Sequence, residues 1–210
     1  MDPEPFTELS NWNSFVQRHQ RTILQRSISS IDKCLYKHTK NNKRAYVIVF
    51  VDDLLIGGED QNIEKLILEL KKEYPVTDLG DAKYDLGINI DIPDNNKMTI
   101  DQTNKIQELI TKFGLENSKP TYTPMEPGYI KTIDNDNLLK NDVKYRQAVG
   151  ALLYISTVTR PDISAAVNIL SRRNEKPRAK DWEAVKRTIR YLKTTINLKL
   201  TFNITYADTD

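Results

Sequence analysis

The chain has 210 residues, enough for one moderate domain or two small subdomains. A net charge of +2 excludes recognition by bulk charge, so the distribution of charged residues matters more than their sum. Apolar residues at 39% and charged residues at 29% suit an open, groove-bearing chain, and the single cysteine, Cys34, excludes an internal disulfide and fits a reducing compartment.

Residues 1–10, with Pro3 and Pro5, read as a disordered lead-in. Trp12, Phe15 and Val16 begin an amphipathic helix predicted to run to about Gln25, with Arg18, His19, Arg21 and Arg26 on its polar face. A strand at Cys34-Leu35-Tyr36 follows, with Cys34 expected in the core, then a polar turn at Asn41-Asn42-Lys43. Two apolar runs come next, Ala45 through Val51 and Leu54-Leu55-Ile56, rich in β-branched and aromatic residues and read as buried antiparallel strands.

Between those runs sit Asp52 and Asp53, at the position of a hairpin turn. Two carboxylates side by side at the edge of a core repel each other, and burial adds a cost that a cation would offset. Oxygen-ligated Mg²⁺ is the usual cation beside phosphates. A solvated turn is the competing explanation for the dipeptide alone, and the surrounding pattern decides between them.

Further along, Ile63, Leu66, Ile67, Leu70 and Tyr74 recur at helical spacing, with Asp60 able to cap the start and Pro75 beyond the end. Residues 86–92 and 97–100 read as a hairpin around Pro93-Asp94-Asn95-Asn96, and 103–113 as a short helix. From Gly114 to about Lys140 the composition shifts to Pro, Asn, Ser, Thr and Asp, marking a linker or a strap across the domain. Three helices follow. The first holds Val149, Leu152, Leu153 and Ile155. The second starts near Pro161 and buries Ile163, Ala166, Val167 and Leu170. The third carries Trp182, Val185, Ile189 and Leu192 on one side. Basic residues concentrate from Arg172 to Lys193, and Lys186, Arg190 and Lys193 form one stripe on the third helix, beside Arg187. Such a stripe is either a solvated face or a track for phosphates. No apolar run approaches membrane-spanning length and no signal peptide is apparent.

The pattern Phe50-Val51-Asp52-Asp53-Leu54-Leu55 resembles the aromatic-x-Asp-Asp hairpin of reverse transcriptases. Several stretches narrow the resemblance to the Ty1/copia-type retrotransposon polymerases: Lys83 through Ile90, Lys112-Phe113-Gly114-Leu115, Thr123-Pro124-Met125 and Tyr145 through Gly150. Leu153-Tyr154, Thr159-Arg160-Pro161-Asp162-Ile163, Ala166-Val167, Leu170-Ser171-Arg172, Trp182 through Arg187 and Arg190 through Lys193 continue it in order. Tyr206 through Asp210 resembles the first strand of a ribonuclease H domain, and the family's further catalytic Asp has no counterpart here. Phe50 stands where that branch usually has Tyr, Asp85 where an apolar aromatic is expected, and Lys105 where an aromatic is expected.

The resemblance implies an α+β fold: a partial palm of antiparallel sheet and packed helices over 11–113, a linker over 114–144, a helical thumb-like subdomain over 145–197 and a ribonuclease H stub over 198–210. It implies two-metal nucleotidyl transfer in a parent polyprotein, with Asp52 and Asp53 as ligands of Mg²⁺. Phe50 would lie near the primer end, Leu86 and Gly87 would position the primer, and Lys186, Arg187, Arg190 and Lys193 would meet phosphates. Expected partners are an RNA template, a DNA primer and the remaining polymerase and ribonuclease H segments, with no membrane, in the cytoplasm or nucleus. With one metal ligand missing, the chain alone is expected to be inactive. A non-enzymatic, co-opted remnant that binds nucleic acid is the alternative.

Overall fold

The computed structural model describes residues 27–28, 32–40, 43–50, 53–58, 60–73, 75–94, 97–129, 137–140 and 142–203. The expected helix from Trp12 to about Gln25, the lead-in and Tyr206 through Asp210 lie outside the described residues. The fold is α+β, and the chain forms two compact units, Met1–Ala82 and Lys83–Asp210. That division runs through the segment 11–113 which the sequence reading kept together.

In the first unit a four-stranded antiparallel meander holds β1 (Ser27–Ile28), β2 (Leu35–Lys40), β3 (Lys43–Phe50) and β4 (Asp53–Gly58), in that spatial order. Strand β3 shows the two-residue period of a sheet covered on one face: Ala45 and Val47 are buried, while Tyr46, Ile48 and Phe50 are exposed. Its covered face packs on helix α1 (Asp60–Glu73) through Leu66 and Leu70, one helical turn apart, with Tyr36 completing the cluster. Lys71 and Lys72 in the last turn suit the negative end of the helix dipole. Cys34 is not core as expected. It is exposed in the turn before β2, where its N–H donates to Asp32 Oδ1 at 2.8 Å, and the strand starts one residue later.

The second unit opens with another antiparallel meander: β5 (Tyr84–Asp85), β6 (Ile88–Asp94), β7 (Lys97–Asp101) and β8 (Leu200–Asn203). Strand β8 pairs with β7 over Lys97↔Asn203 to Ile100↔Leu200, so this part of the expected terminal stub is a member of the unit's own sheet. Register shifts between Asp91 and Asp94, a stretch that contains Pro93, which has no N–H to donate. Helix α2 (Thr103–Lys112) ends in a Schellman motif: the Leu115 N–H donates to Ile110 O, the Gly114 N–H to Thr111 O, and Gly114 takes φ +64.

Helix α3 (Val143–Val158), a 3₁₀ turn (Pro161–Ile163), α4 (Ser164–Ser171) and α5 (Ala179–Thr194) build one core with α2. Ile106, Leu109 and Ile110 of α2 are buried in the same cluster as Leu152, Ile155, Leu170, Ile189 and Leu192, which is why α2 belongs to the helical unit. Phe113 and Trp182 pack edge to face, with centroids 5.4 Å apart. Leu153, expected among the apolar positions of its helix, is exposed. The strap reading of the Pro-rich segment is the one that matches: the Thr121 N–H donates to Thr194 Oγ1 at 3.1 Å, and the Thr188 hydroxyl to Pro124 O at 3.0 Å. Among the described residues no helix is long and apolar enough to cross a membrane.

Candidate active site

Strands β3 and β4 form a hairpin in which Phe50 pairs with Asp53, and Val51 and Asp52 lie outside the described residues. Asp53 opens β4 and is exposed, as is Phe50 across from it. The burial cost invoked for the acidic pair therefore does not apply to Asp53, whose carboxylate is hydrated and open to a ligand from outside. Its oxygens are the hard donors that Mg²⁺ prefers. Among the described residues no group of three or more acidic, histidine or cysteine side chains gathers around a metal position. The donor chemistry fits the ion, with Asp53 the one described member of the expected pair.

In the second unit, Leu86 and Gly87 form a two-residue turn between β5 and β6, with Tyr84 opposite Asn89 and Asp85 opposite Ile88. The strand expected from Leu86 begins at Ile88 instead. Both turn residues take positive φ, +48 at Leu86 and +86 at Gly87, the requirement of a type I′ hairpin. Leucine seldom adopts that conformation, which costs on the order of 1 kcal/mol. The Tyr154 hydroxyl holds the strained turn by donating to Leu86 O at 2.6 Å, and the Leu86 side chain stays exposed. Tyr154 lies 68 residues from Leu86 in the chain, and only the fold brings it to the turn. Asp85, which stands where the resemblance expects an apolar aromatic, is half-buried at the end of the edge strand β5.

Three of the four cations named on α5 make contacts within the protein. Lys193 Nζ donates to the carbonyls of Leu115 at 3.3 Å, Ser118 at 3.0 Å and Glu116, using the three donors of an ammonium. Lys186 Nζ meets Glu183 Oε1 at 2.5 Å, and an Arg187 Nη2 donates to Thr123 Oγ1 at 2.9 Å. The Nε atoms of Arg187 and Arg190 are buried and have no hydrogen-bond partner among the described residues. For Arg187 and Lys193 a helix-periodicity reading could not see this, because their partners lie 64 to 78 residues earlier in the chain.

Thr159 through Ile163, part of the family resemblance, hold a structural network. Arg160 is buried, and its guanidinium grips Asp162 in a bidentate pair at 2.9 and 2.7 Å. It also donates to Thr195 O at 3.1 Å and Oγ1 at 2.6 Å, tying α3 to the end of α5. The Tyr191 hydroxyl donates to Asp162 Oδ2 at 2.8 Å. Burial opposes ionisation of Asp162, but Arg160 and Tyr191 outweigh it and hold the carboxyl below its ordinary range. Asp101 behaves alike: burial is opposed by hydrogen bonds from Asn89, the Thr103 N–H and Lys199, and the balance lies below the usual carboxylate range. Burial and Asp181 push the Tyr129 hydroxyl upward, so it remains a donor to that carboxylate.

The reverse transcriptase (RNA-dependent DNA polymerase) family model matches residues 10–127, more than half of the chain. The retrovirus-related Pol polyprotein from transposon TNT 1-94 of Nicotiana tabacum is 37% identical over 176 residues, 78% of this chain and 13% of the polyprotein. An uncharacterised mitochondrial protein of Arabidopsis thaliana is 34% identical over 152 residues, 72% of this chain and 62% of that protein. The Pol polyprotein from transposon RE2 of the same plant is 33% identical over 166 residues, 78% of this chain and 11% of the polyprotein. The chain thus spans less than two thirds of the length of each of these relatives. No solved structure matches it. With the matching family model and these polyprotein relatives, the chain belongs to the reverse transcriptase family, in its copia-type retrotransposon branch.

Proposed function

We propose that the chain is part of an RNA-directed DNA polymerase of a copia-type retrotransposon. The observation that carries this is the β3–β4 hairpin, whose Phe50↔Asp53 pairing sets an exposed carboxylate at the start of a strand inside the region matched by the polymerase family. Asp52 and Asp53 are the residues that would hold Mg²⁺, which when bound activates the primer hydroxyl and stabilises the leaving pyrophosphate. Phe50 lies across the ladder from Asp53 and would contact the primer end. In its own unit, the Leu86–Gly87 turn is rigid, exposed and latched by Tyr154, the properties a primer-positioning loop needs. An RNA template and a DNA primer are the substrates on this reading, and the other segments of a Pol polyprotein are the physical partners.

The pair supplies fewer carboxylates than a two-metal centre uses, so the chain alone should extend a primer at background level. Primer extension on an oligo(dT)-primed poly(rA) template, with Mg²⁺ or Mn²⁺, tests this. Incorporation that depends on metal and disappears in Asp52→Asn would refute inactivity of the isolated chain while supporting the site. Metal-dependent incorporation that survives both Asp52→Asn and Asp53→Asn would refute the site itself.

A further inference from the structure

We propose that Tyr154 is a positioning residue: its hydroxyl decides the handedness of the Leu86–Gly87 turn, and with it where the Leu86 side chain stands. This deepens the polymerase reading, in which that turn positions the primer, and rests on it. The observed turn is not the one a leucine would choose. Both central residues are left-handed, with φ +48 at Leu86 and +86 at Gly87. The mirror-image type I turn, the commonest of all, takes negative φ at both positions and carries no strain at leucine. Gly87 accepts either form, so Leu86 alone bears the cost of the observed one.

Two influences favour the left-handed form. One is the twist of the paired strands, which suits type I′ better than type I. Here that influence is small, because β5 is two residues long and lies at the edge of its sheet. Leu86 and Gly87 also stand beyond the last ladder pair, Asp85↔Ile88, so the strands do not hold the peptide between them. The other influence is the Tyr154 hydroxyl, which donates to Leu86 O at 2.6 Å. In the mirror-image turn that carbonyl points to the opposite side of the hairpin and the bond is lost. The donor stands on a rigid base. Val149, Leu152 and Ile155 of the same helix, α3, are fully buried, whereas Tyr154 is on its exposed side. A turn with two forms, one of them selected by a single donor, is a two-state element that the donor biases. Leu86 is exposed, so the form selected sets what an incoming primer meets.

The test is nuclear magnetic resonance of the full chain, in which a left-handed residue shows a strong Overhauser peak between its own amide and α protons. Leu86 should show that peak in the wild type and lose it in Tyr154→Phe, while the amide signals of Leu152 and Ile155 stay in place. Adding Leu86→Asn to Tyr154→Phe should bring the peak back at position 86, because asparagine tolerates the left-handed region. A peak that persists in Tyr154→Phe overturns the positioning role and leaves the polymerase reading intact. So does a peak that fails to return in the double variant, or a Tyr154→Phe chain that does not fold, since a hydroxyl that acts on the turn is not needed by the core. A poly(rA)·oligo(dT) hybrid is then added to each chain. The Leu86 and Gly87 amide signals should move in the wild type and move less in Tyr154→Phe. Equal movement in both overturns the role. A hybrid that moves neither signal in the wild type removes the turn from the polymerase reading, and this role of Tyr154 with it, even where Tyr154→Phe changes the turn.

Discussion

The two units solve the burial problem differently. Among the described residues, the first rests on a cluster of four buried side chains, Tyr36, Val47, Leu66 and Leu70, under a sheet whose other face leaves Tyr46, Ile48 and Phe50 exposed. The second buries sixteen apolar residues in one cluster and stitches its surface with buried polar networks around Arg160 and Asp181. The hairpin with the acidic pair stands on the unit whose described core cluster is the smaller. Substitutions in the second unit should therefore read out as stability, and substitutions at the hairpin as ligand binding. That separation is open to direct attack.

The largest effect expected is from Leu152→Ala, which empties a fully buried position and should lower the stability of the second unit by about 3–4 kcal/mol. Leu66→Ala in the first unit should cost less, about 2 kcal/mol, because a smaller cluster can relax around the gap. Urea titrations followed by hydrogen exchange of amides in each unit check both, and equal losses would break the comparison.

Next comes Arg160→Ala, expected to cost about 2–3 kcal/mol by removing the guanidinium from Asp162, which keeps the Tyr191 hydroxyl, and from the Thr195 carbonyl. Arg160→Lys should recover only part of that loss, because an ammonium lacks the fork that holds both carboxylate oxygens.

The pH dependence sharpens the same contrast. Asp162 and Asp101 ionise below their unfolded value of about 3.9. In acid the folded chain binds fewer protons than the unfolded one, so their stabilisation is fully present above about pH 4 and disappears as pH falls through the folded values. Denaturant midpoints of the second unit should decline below pH 4, and less so in Asp162→Asn, once its lower starting stability is subtracted. The smallest effect is Leu86→Gly, which should stabilise by up to about 1 kcal/mol by relieving the left-handed leucine. A loss of stability in that variant would mean that the leucine side chain, not the turn, is what the fold needs.

Local patterns carried much of this structure. The helical spacing of Leu66 and Leu70, and of Val185, Ile189 and Leu192, marks the buried faces that the fold shows. The apolar runs around the acidic pair mark β3 and β4. What stayed hidden depends on partners distant in the chain. Lys193 reads as a surface cation until the strap brings three carbonyls to it. Arg160 reads as a motif letter until Thr195 and Tyr191 arrive from α5. Leu86 reads as strand because its strain is visible only in the backbone. Of the site, the β3–β4 hairpin was legible, whereas the exposure of Asp53, which removes the desolvation argument, was not.

Binding of Mn²⁺ to the hairpin, measured by electron paramagnetic resonance titration of the free ion, bears most directly on the acidic pair as a metal ligand. The account predicts weak binding by the wild-type chain that Asp53→Asn sharply reduces, while the melt of the second unit stays where it was. Equal Mn²⁺ uptake by the wild type and by a doubly substituted Asp52→Asn, Asp53→Asn chain would contradict it.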